Sequence, residues 1–211
     1  MIVLVGGEKG GTGKTTTATN IAVYLAYAGK DVVLVDTDKQ SSSTKWLSRR
    51  NEYHPDKPKI HISQQSGNVF EAIKDLANRY EEVVIDAGGR DSEELRTAMV
   101  VCHKCYIPLR PSQLDIETSV HVSEIIKLAR GFNQNLEAYA LISQAPTNPY
   151  VREQQEAVEL LAELPELKLA KQFIRERKLY RDAMTEGLGA VEIAGKGKAE
   201  IQLLCQEIYN L

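Results

Sequence analysis

The sequence predicts an α/β fold, a mostly parallel twisted sheet with helices on both faces. Three observations predict it. Short, largely apolar, β-branched runs recur at Ile2–Val5, Asp31–Val35, Glu81–Asp86, Cys105–Leu109 and Ala138–Ser143, as strands buried in a parallel sheet require. Stretches with helical periodicity lie between them, and strand–helix–strand repetition gives right-handed crossovers. A glycine-rich loop follows the first run and opens a helix: Gly7-Glu8-Lys9-Gly10-Gly11-Thr12-Gly13-Lys14-Thr15-Thr16.

The elements follow in order. In the loop, glycines let the backbone wrap so that successive N–H groups face inward, and the helix beginning near Lys14 adds its positive dipole end. Lys14 supplies a point charge for β- and γ-phosphates, and the Thr15 hydroxyl can ligate Mg²⁺. Ile21, Ala22, Leu25, Ala26 and Ala28 keep an apolar helical face, which Gly29 closes as a C-cap. The run Asp31–Val35 ends at Asp36, so Asp36 and Asp38 fall where open α/β sheets place ligands. Two carboxylates there can serve a magnesium ion and an attacking water. Ser41–Arg50 is a polar-faced helix carrying the only tryptophan, Trp46, as a packing residue. Asn51–Lys59, with Pro55 and Pro58, is a surface loop, Ile60–Ile62 a short strand, and Val69–Tyr80 an amphipathic helix.

Glu81–Asp86 closes on an aspartate, the arrangement by which Asp86 would hold magnesium through a water. The following Ala87-Gly88-Gly89-Arg90-Asp91 is a loop, and Ser92 caps a helix over Ser92–Val101. Cys105–Leu109, a helix from Gln113 to Arg130 ended by Gly131, and Ala138–Ser143 come next. Helices are expected over Pro149–Leu164 and Lys198–Tyr209.

Composition limits the function classes. The 211 residues are expected to form one domain, 1–211, and a net charge of −3 gives no global argument for nucleic acid, so a basic site must be local. No stretch reaches the roughly 20 apolar residues of a membrane span, and strand and loop at the N-terminus leave no room for a signal peptide. Three cysteines make no disulfide framework, so a cytoplasmic home is expected. Cys102 and Cys105 have metal-pair spacing but span a helix end and a buried strand, which favours a structural role. His54, His61, His103 and His121 lack ligand-spaced partners and are expected to be structural or at the surface.

The loop departs from G-x-x-x-x-G-K-[ST], because Glu8 stands at the first glycine position. Its form, Lys9-Gly-Gly-x-Gly-Lys14-Thr-Thr, resembles the deviant Walker A motif of the ParA/MinD family of ATPases. The resemblance implies a P-loop NTPase fold, with ATP and Mg²⁺ as cofactors. Residues 9 to 16 (Lys9, Gly10, Gly11, Thr12, Gly13, Lys14, Thr15 and Thr16) would hold the nucleotide, and Lys9 would reach across a nucleotide-sandwiched homodimer. Asp36-Thr37-Asp38-Lys39-Gln40 resembles the family's Asp-x-Asp-Pro-Gln motif, with Lys39 in place of proline. By that resemblance Asp36, with Thr15 and Asp86, supports the metal shell, and Asp38 orients the hydrolytic water beside catalytic Lys9 and Lys14. Ala87–Asp91 would be a switch region, and Pro111 would lie near the adenine. Lys171–Arg181 is locally basic through Arg175, Arg177, Lys178 and Arg181, and matches the region by which small partition ATPases bind DNA non-specifically. These similarities imply a plasmid or chromosome partition ATPase lacking an N-terminal DNA-reading domain. It would dimerise on MgATP, sit on the nucleoid and be stimulated by a ParB-like centromere-binding partner. The alternative is a ParA/MinD-like positioning ATPase for a protein assembly, with an iron–sulfur assembly ATPase as a weaker third. The last helix, acidic through Glu200 and Glu207, lacks the basic face of a membrane-targeting helix.

Overall fold

The computed structural model describes residues 1–148 and 153–210. Among them, seven parallel strands form one sheet: β1 (Ile2–Val5), β2 (Val32–Asp36), β3 (His61–Gln64), β4 (Glu82–Asp86), β5 (Lys104–Leu109), β6 (Glu137–Ile142) and β7 (Lys168–Leu169), in the order β3-β2-β4-β1-β5-β6-β7. The helices are α1 (Lys14–Tyr27), α2 (Ser42–Tyr53), α3 (Phe70–Arg79), α4 (Glu93–Val101), α5 (Gln113–Arg130), α6 (Glu153–Leu161), α7 (Lys178–Glu186) and α8 (Lys196–Tyr209).

Central strands bury both faces, which is why their sequence shows no alternation. Ile2, Leu4, Val33, Val35 and Ile85 join one core layer with Ile73 of α3, Met99 of α4 and Ile126 of α5. Val3, Val5, Val32, Leu34 and Val84 point the other way, onto Ile21 and Leu25 of α1, Trp46 of α2 and Ile201 of α8. The alternation of Cβ directions along a strand produces both layers from one apolar run. Trp46 is fully buried, and its indole N–H donates to the Leu188 carbonyl at 3.2 Å.

Strand order reverses around β1, which lies between β4 and β5. The loop leaving β1 therefore opens at a topological switch point, where such sheets bind ligands. Two elements differ from expectation. The two-residue β7 is too short to leave a periodic signal, and the basic stretch runs extended to Arg177 before α7 begins. The expected helix over Pro149–Leu164 is α6 from Glu153, and residues 149–152 lie outside the described residues.

Candidate nucleotide site

The phosphate loop takes its shape from three positive-φ glycines, Gly7 (φ 139°), Gly11 (φ 72°) and Gly13 (φ 88°), a region that residues with a Cβ rarely enter. Gly13 is also the N-cap of α1, and no side chain caps that helix start. Its first N–H groups are thus left for an anion. The outer rim of the loop is held by its neighbours: Ser143 Oγ donates to the Thr12 carbonyl at 2.6 Å, while Gln144 Nε2 and Arg110 donate to the Gly11 carbonyl at 2.7 and 2.8 Å.

Lys14 is buried, and its ammonium donates to the Lys9 carbonyl, spanning the crown of the loop. Burial pushes the Lys14 pKa down, against the opposing pull of Asp86 and Asp38. Asp36 and Asp86 are register partners on β2 and β4, so both carboxylates emerge on one rung beside the loop. Asp86 is completely buried, and its pKa is pushed up to about 7 by that burial, with the Ser43 and Thr15 hydroxyls beside it pulling the other way. Ser43 Oγ donates to Asp86 Oδ2 at 2.6 Å, whereas Oδ1 is buried with no partner. An unpartnered carboxylate oxygen beside a threonine hydroxyl is a hard-oxygen donor set, which fits Mg²⁺.

Asp36 is engaged differently. Its Oδ2 accepts from the N–H and hydroxyl of Thr44, at 2.9 and 2.8 Å, and its Oδ1 accepts from the Asp38 N–H at 3.1 Å. Asp36 therefore fixes the start of α2 and the Asp38 loop, with Oδ1 keeping one further acceptor site. Asp38 is half-buried and accepts from the Gln40 N–H at 2.9 Å. The Gly88–Gly89 loop lies directly over these groups. A methyl on Gly88 would sit 3.4 Å from the Asp38 carboxyl carbon, and one on Gly89 would sit 3.0 Å from Lys14 Nζ and 3.2 Å from the Gly10 backbone.

A cleft of about 580 Å³ opens beside the helix start, lined by Gly13, Thr17, Arg110, Gln144, Arg175 and Tyr180, among others. It is large enough for a base and ribose. Pro111, expected near the adenine, is buried and does not line this cleft, whereas its neighbour Arg110 does. The basic stretch is not one surface either. Arg175 donates to the Pro146 carbonyl at 2.6 Å and lines the cleft, and Arg177 is paired with Glu200 at 2.9 Å through Nε. Lys178 and Arg181 are exposed, in pairs with Asp182 at 3.0 Å and Glu176 at 3.4 Å.

Sequence reasoning missed Ser43 and Thr44, which grip the two strand-end carboxylates, and Arg110, Ser143 and Gln144 on the loop rim. Arg110, Ser143 and Gln144 had the signal of a position just beyond a strand end, whereas Ser43 and Thr44 sit in the first turn of α2 with no such signal. Cys102, Cys105 and Cys205 are all buried, and burial pushes their thiols up, so none is a ready thiolate ligand.

A glycine-rich phosphate loop with two lysines, opening a helix at the switch point of a parallel sheet beside Asp36, Asp38 and Asp86, is the arrangement of a P-loop ATPase. The match with the CobQ/CobB/MinD/ParA nucleotide-binding domain extends over residues 3–191, and the chain belongs to that family. It is 30% identical over 205 residues to the maintenance of carboxysome distribution protein A of Halothiobacillus neapolitanus, covering 95% of this chain and 92% of that protein. Among solved structures, apo McdA from Cyanothece superposes with a TM-score of 0.82 at 15% identity, covering 98% of each chain. An ATP complex of a McdA variant from Cyanothece superposes with a TM-score of 0.79 at 15% identity, covering 100% of this chain and 96% of that one. The chain is an ATPase of the ParA/MinD type that uses ATP and Mg²⁺. No described helix is long and apolar enough to cross a membrane.

Proposed function

We propose that this ATPase distributes a protein assembly inside the cell, and that DNA segregation, the first expectation from sequence, is the second reading. One observation carries the choice. The carboxysome-distribution relative aligns over 95% of this chain, whereas the chromosome-partitioning ATPase Soj of Thermus thermophilus aligns over 25% of it. The assembly carried here need not be a carboxysome; what transfers is the positioning of a protein cargo.

In this reading MgATP enters the loop of residues 9–16, and two subunits close on two nucleotides. Magnesium, when bound, neutralises charge on the β- and γ-phosphates. Lys14 leaves the Lys9 carbonyl for the phosphates, Lys9 reaches the partner's nucleotide, and Asp38 orients the attacking water. Thr15 and Asp86 hold the metal shell, and Asp36 keeps the Asp38 loop in place. Exposed Lys178 and Arg181, through non-specific phosphate contacts, would let the dimer use DNA as a track.

The test has two arms. Lys9→Ala is expected to abolish dimer-linked hydrolysis while sparing nucleotide binding by the monomer; full activity in that variant overturns the assignment of Lys9. DNA binding is then measured with ADP and with a non-hydrolysable ATP analogue across a salt series, in wild type and in Lys178→Ala/Arg181→Ala. ATP-dependent, salt-sensitive, sequence-blind binding that the double variant loses ties α7 to DNA, and unchanged binding in it removes α7. Recovery of a multisubunit protein assembly with the ATP-bound dimer supports the positioning reading. Recovery of a centromere-binding protein overturns it in favour of segregation.

A further inference from the structure

Glu8 replaces the first glycine of the general phosphate-loop pattern, and the nucleotide chemistry gives it no task. In the fold it meets two residues far away in sequence. His121 Nε2 of α5 lies 3.2 Å from Glu8 Oε1 and 3.4 Å from Asp91 Oδ2, and the three atoms fall within 4.8 Å of one another. His121, expected to be solitary, is thus the centre of a cluster joining the phosphate loop, the Gly88–Gly89 loop and α5.

We propose that Glu8, Asp91 and His121 bind a zinc-class divalent cation, with water completing a tetrahedron. Three observations lead there. The first is spacing: ligand atoms about 2.1 Å from a tetrahedral ion stand about 3.4 Å apart, close to the two separations measured from His121 Nε2. The second is the other imidazole nitrogen. His121 Nε2 is in hydrogen-bond geometry with Asp91 Oδ2 at 3.4 Å, and Nδ1 lies 3.5 Å from Glu124 Oε2, so a cation at Nε2 would leave Nδ1–H to face that carboxylate. That is the carboxylate–histidine arrangement which orients metal-binding imidazoles. Without a metal, the Nε2 proton is what bridges to Asp91 Oδ2. The third is charge. Among the described residues, Glu8, Asp91 and Glu124 stand against the guanidinium of Arg96, which grips both Asp91 oxygens. With a neutral imidazole the local sum is two negative charges, which one divalent ion cancels. A mixed imidazole–carboxylate set favours zinc over magnesium or calcium, which take oxygen alone.

The competing occupant is a proton. The carboxylate contacts raise the His121 pKa, first through Asp91 and then through Glu8, while burial foremost raises that of Glu8. Metal and proton compete for Nε2, so binding weakens as pH falls. A bound ion would pin the Gly88–Gly89 loop to the phosphate loop; this consequence rests on the ATPase cycle, whereas the binding itself does not.

The experiment is a calorimetric titration of Zn²⁺ into the full-length, tag-free, chelator-stripped protein with Mg²⁺ in excess. One ion per chain is expected, with affinity lowered at least about tenfold in His121→Ala and in Glu8→Gln and unchanged in His61→Ala. Co²⁺ in the same site should give the intense visible bands of tetrahedral coordination. Zn²⁺ should also slow ATP hydrolysis by wild type and not by His121→Ala. No stoichiometric binding, or binding that His121→Ala leaves intact, overturns the proposal. So does an imidazole that titrates with a raised pKa while taking no metal, since the cation is then a proton. Zinc binding without slowed hydrolysis removes the clamp and keeps the site.

Discussion

Asp86→Asn in metal-free protein isolates the cost of holding the strand-end carboxylate ready for magnesium. Asp86 is completely buried, keeps one oxygen without a partner, and has its pKa pushed from the ordinary 3.8 to about 7. A carboxyl with a raised native pKa favours the folded state fully below about pH 4. It loses that stability as pH rises toward the native value and contributes its whole penalty above it. The shift corresponds to about 4 kcal/mol, at 1.36 kcal/mol per pH unit. Between about pH 5 and pH 8 the wild type should lose about 2–3 kcal/mol from this group alone. The amide introduced by Asp86→Asn is uncharged, can still accept from Ser43, and removes that pH dependence. The assay is urea unfolding of both proteins in EDTA across this range. Their stability difference should widen with pH in favour of the variant, while Mg²⁺-dependent hydrolysis is lost. A difference that stays flat with pH refutes the argument, because Asp86 would then be ionised throughout at no cost.

Two further substitutions test the surroundings of the site. Arg50 and Glu192 form a bidentate pair at 2.8 and 3.1 Å, with each side chain 1% exposed, so Glu192→Gln strands a buried guanidinium. It should cost about 3–5 kcal/mol and lower Tm by roughly 10 °C; a change within 1 or 2 °C in thermal unfolding would show that the pair is solvated. Ser43→Ala removes the hydroxyl that donates to Asp86 Oδ2. Losing a hydrogen bond to a charged group costs about 1.5–3 kcal/mol, so the Mg²⁺ concentration for half-maximal hydrolysis should rise on the order of tenfold or more. An unchanged Mg²⁺ curve would mean that Ser43 does not orient the carboxylate.

What could be read in advance was whatever is local. The phosphate loop follows from glycines at fixed spacing ahead of Lys14 and Thr15, because backbone wrapping and a helix start are decided within ten residues. Asp36 and Asp86 were legible as carboxylates ending β-branched runs, since strand ends at a switch point have a fixed role. Their division of labour was not legible. Asp36 is occupied by Thr44 and the Asp38 N–H while Asp86 keeps a bare oxygen, and that depends on how α2 docks. Arg177 shows the same limit. It reads as one cation in a basic run, but chain reversal at α8 brings Glu200 onto it, a pairing across 23 residues. His121 looked solitary for the same reason, since its partners sit 113 and 30 residues away.

The line between chemistry and cargo follows from burial. Lys14, Asp36 and Asp86 are buried and work against each other's backbone and side chains, so their identity is constrained by packing, electrostatics and spacing together. Such residues announce themselves in a sequence. A cargo surface answers to none of these constraints from within the chain. Lys178 and Arg181 are exposed and paired with nearby acids, like many cations on a solvated helix, and Leu128 and Phe132 near the end of α5 are exposed apolar side chains. Alignment over 95% of the chain weighs on the proposed positioning role more than any motif does, because the motif belongs to the shared hydrolysis. The difference between those functions is spread over surface positions, each individually ordinary. On the proposed reading, a cargo is to be sought by what binds the ATP-loaded protein, and the strand-end carboxylates will not name it.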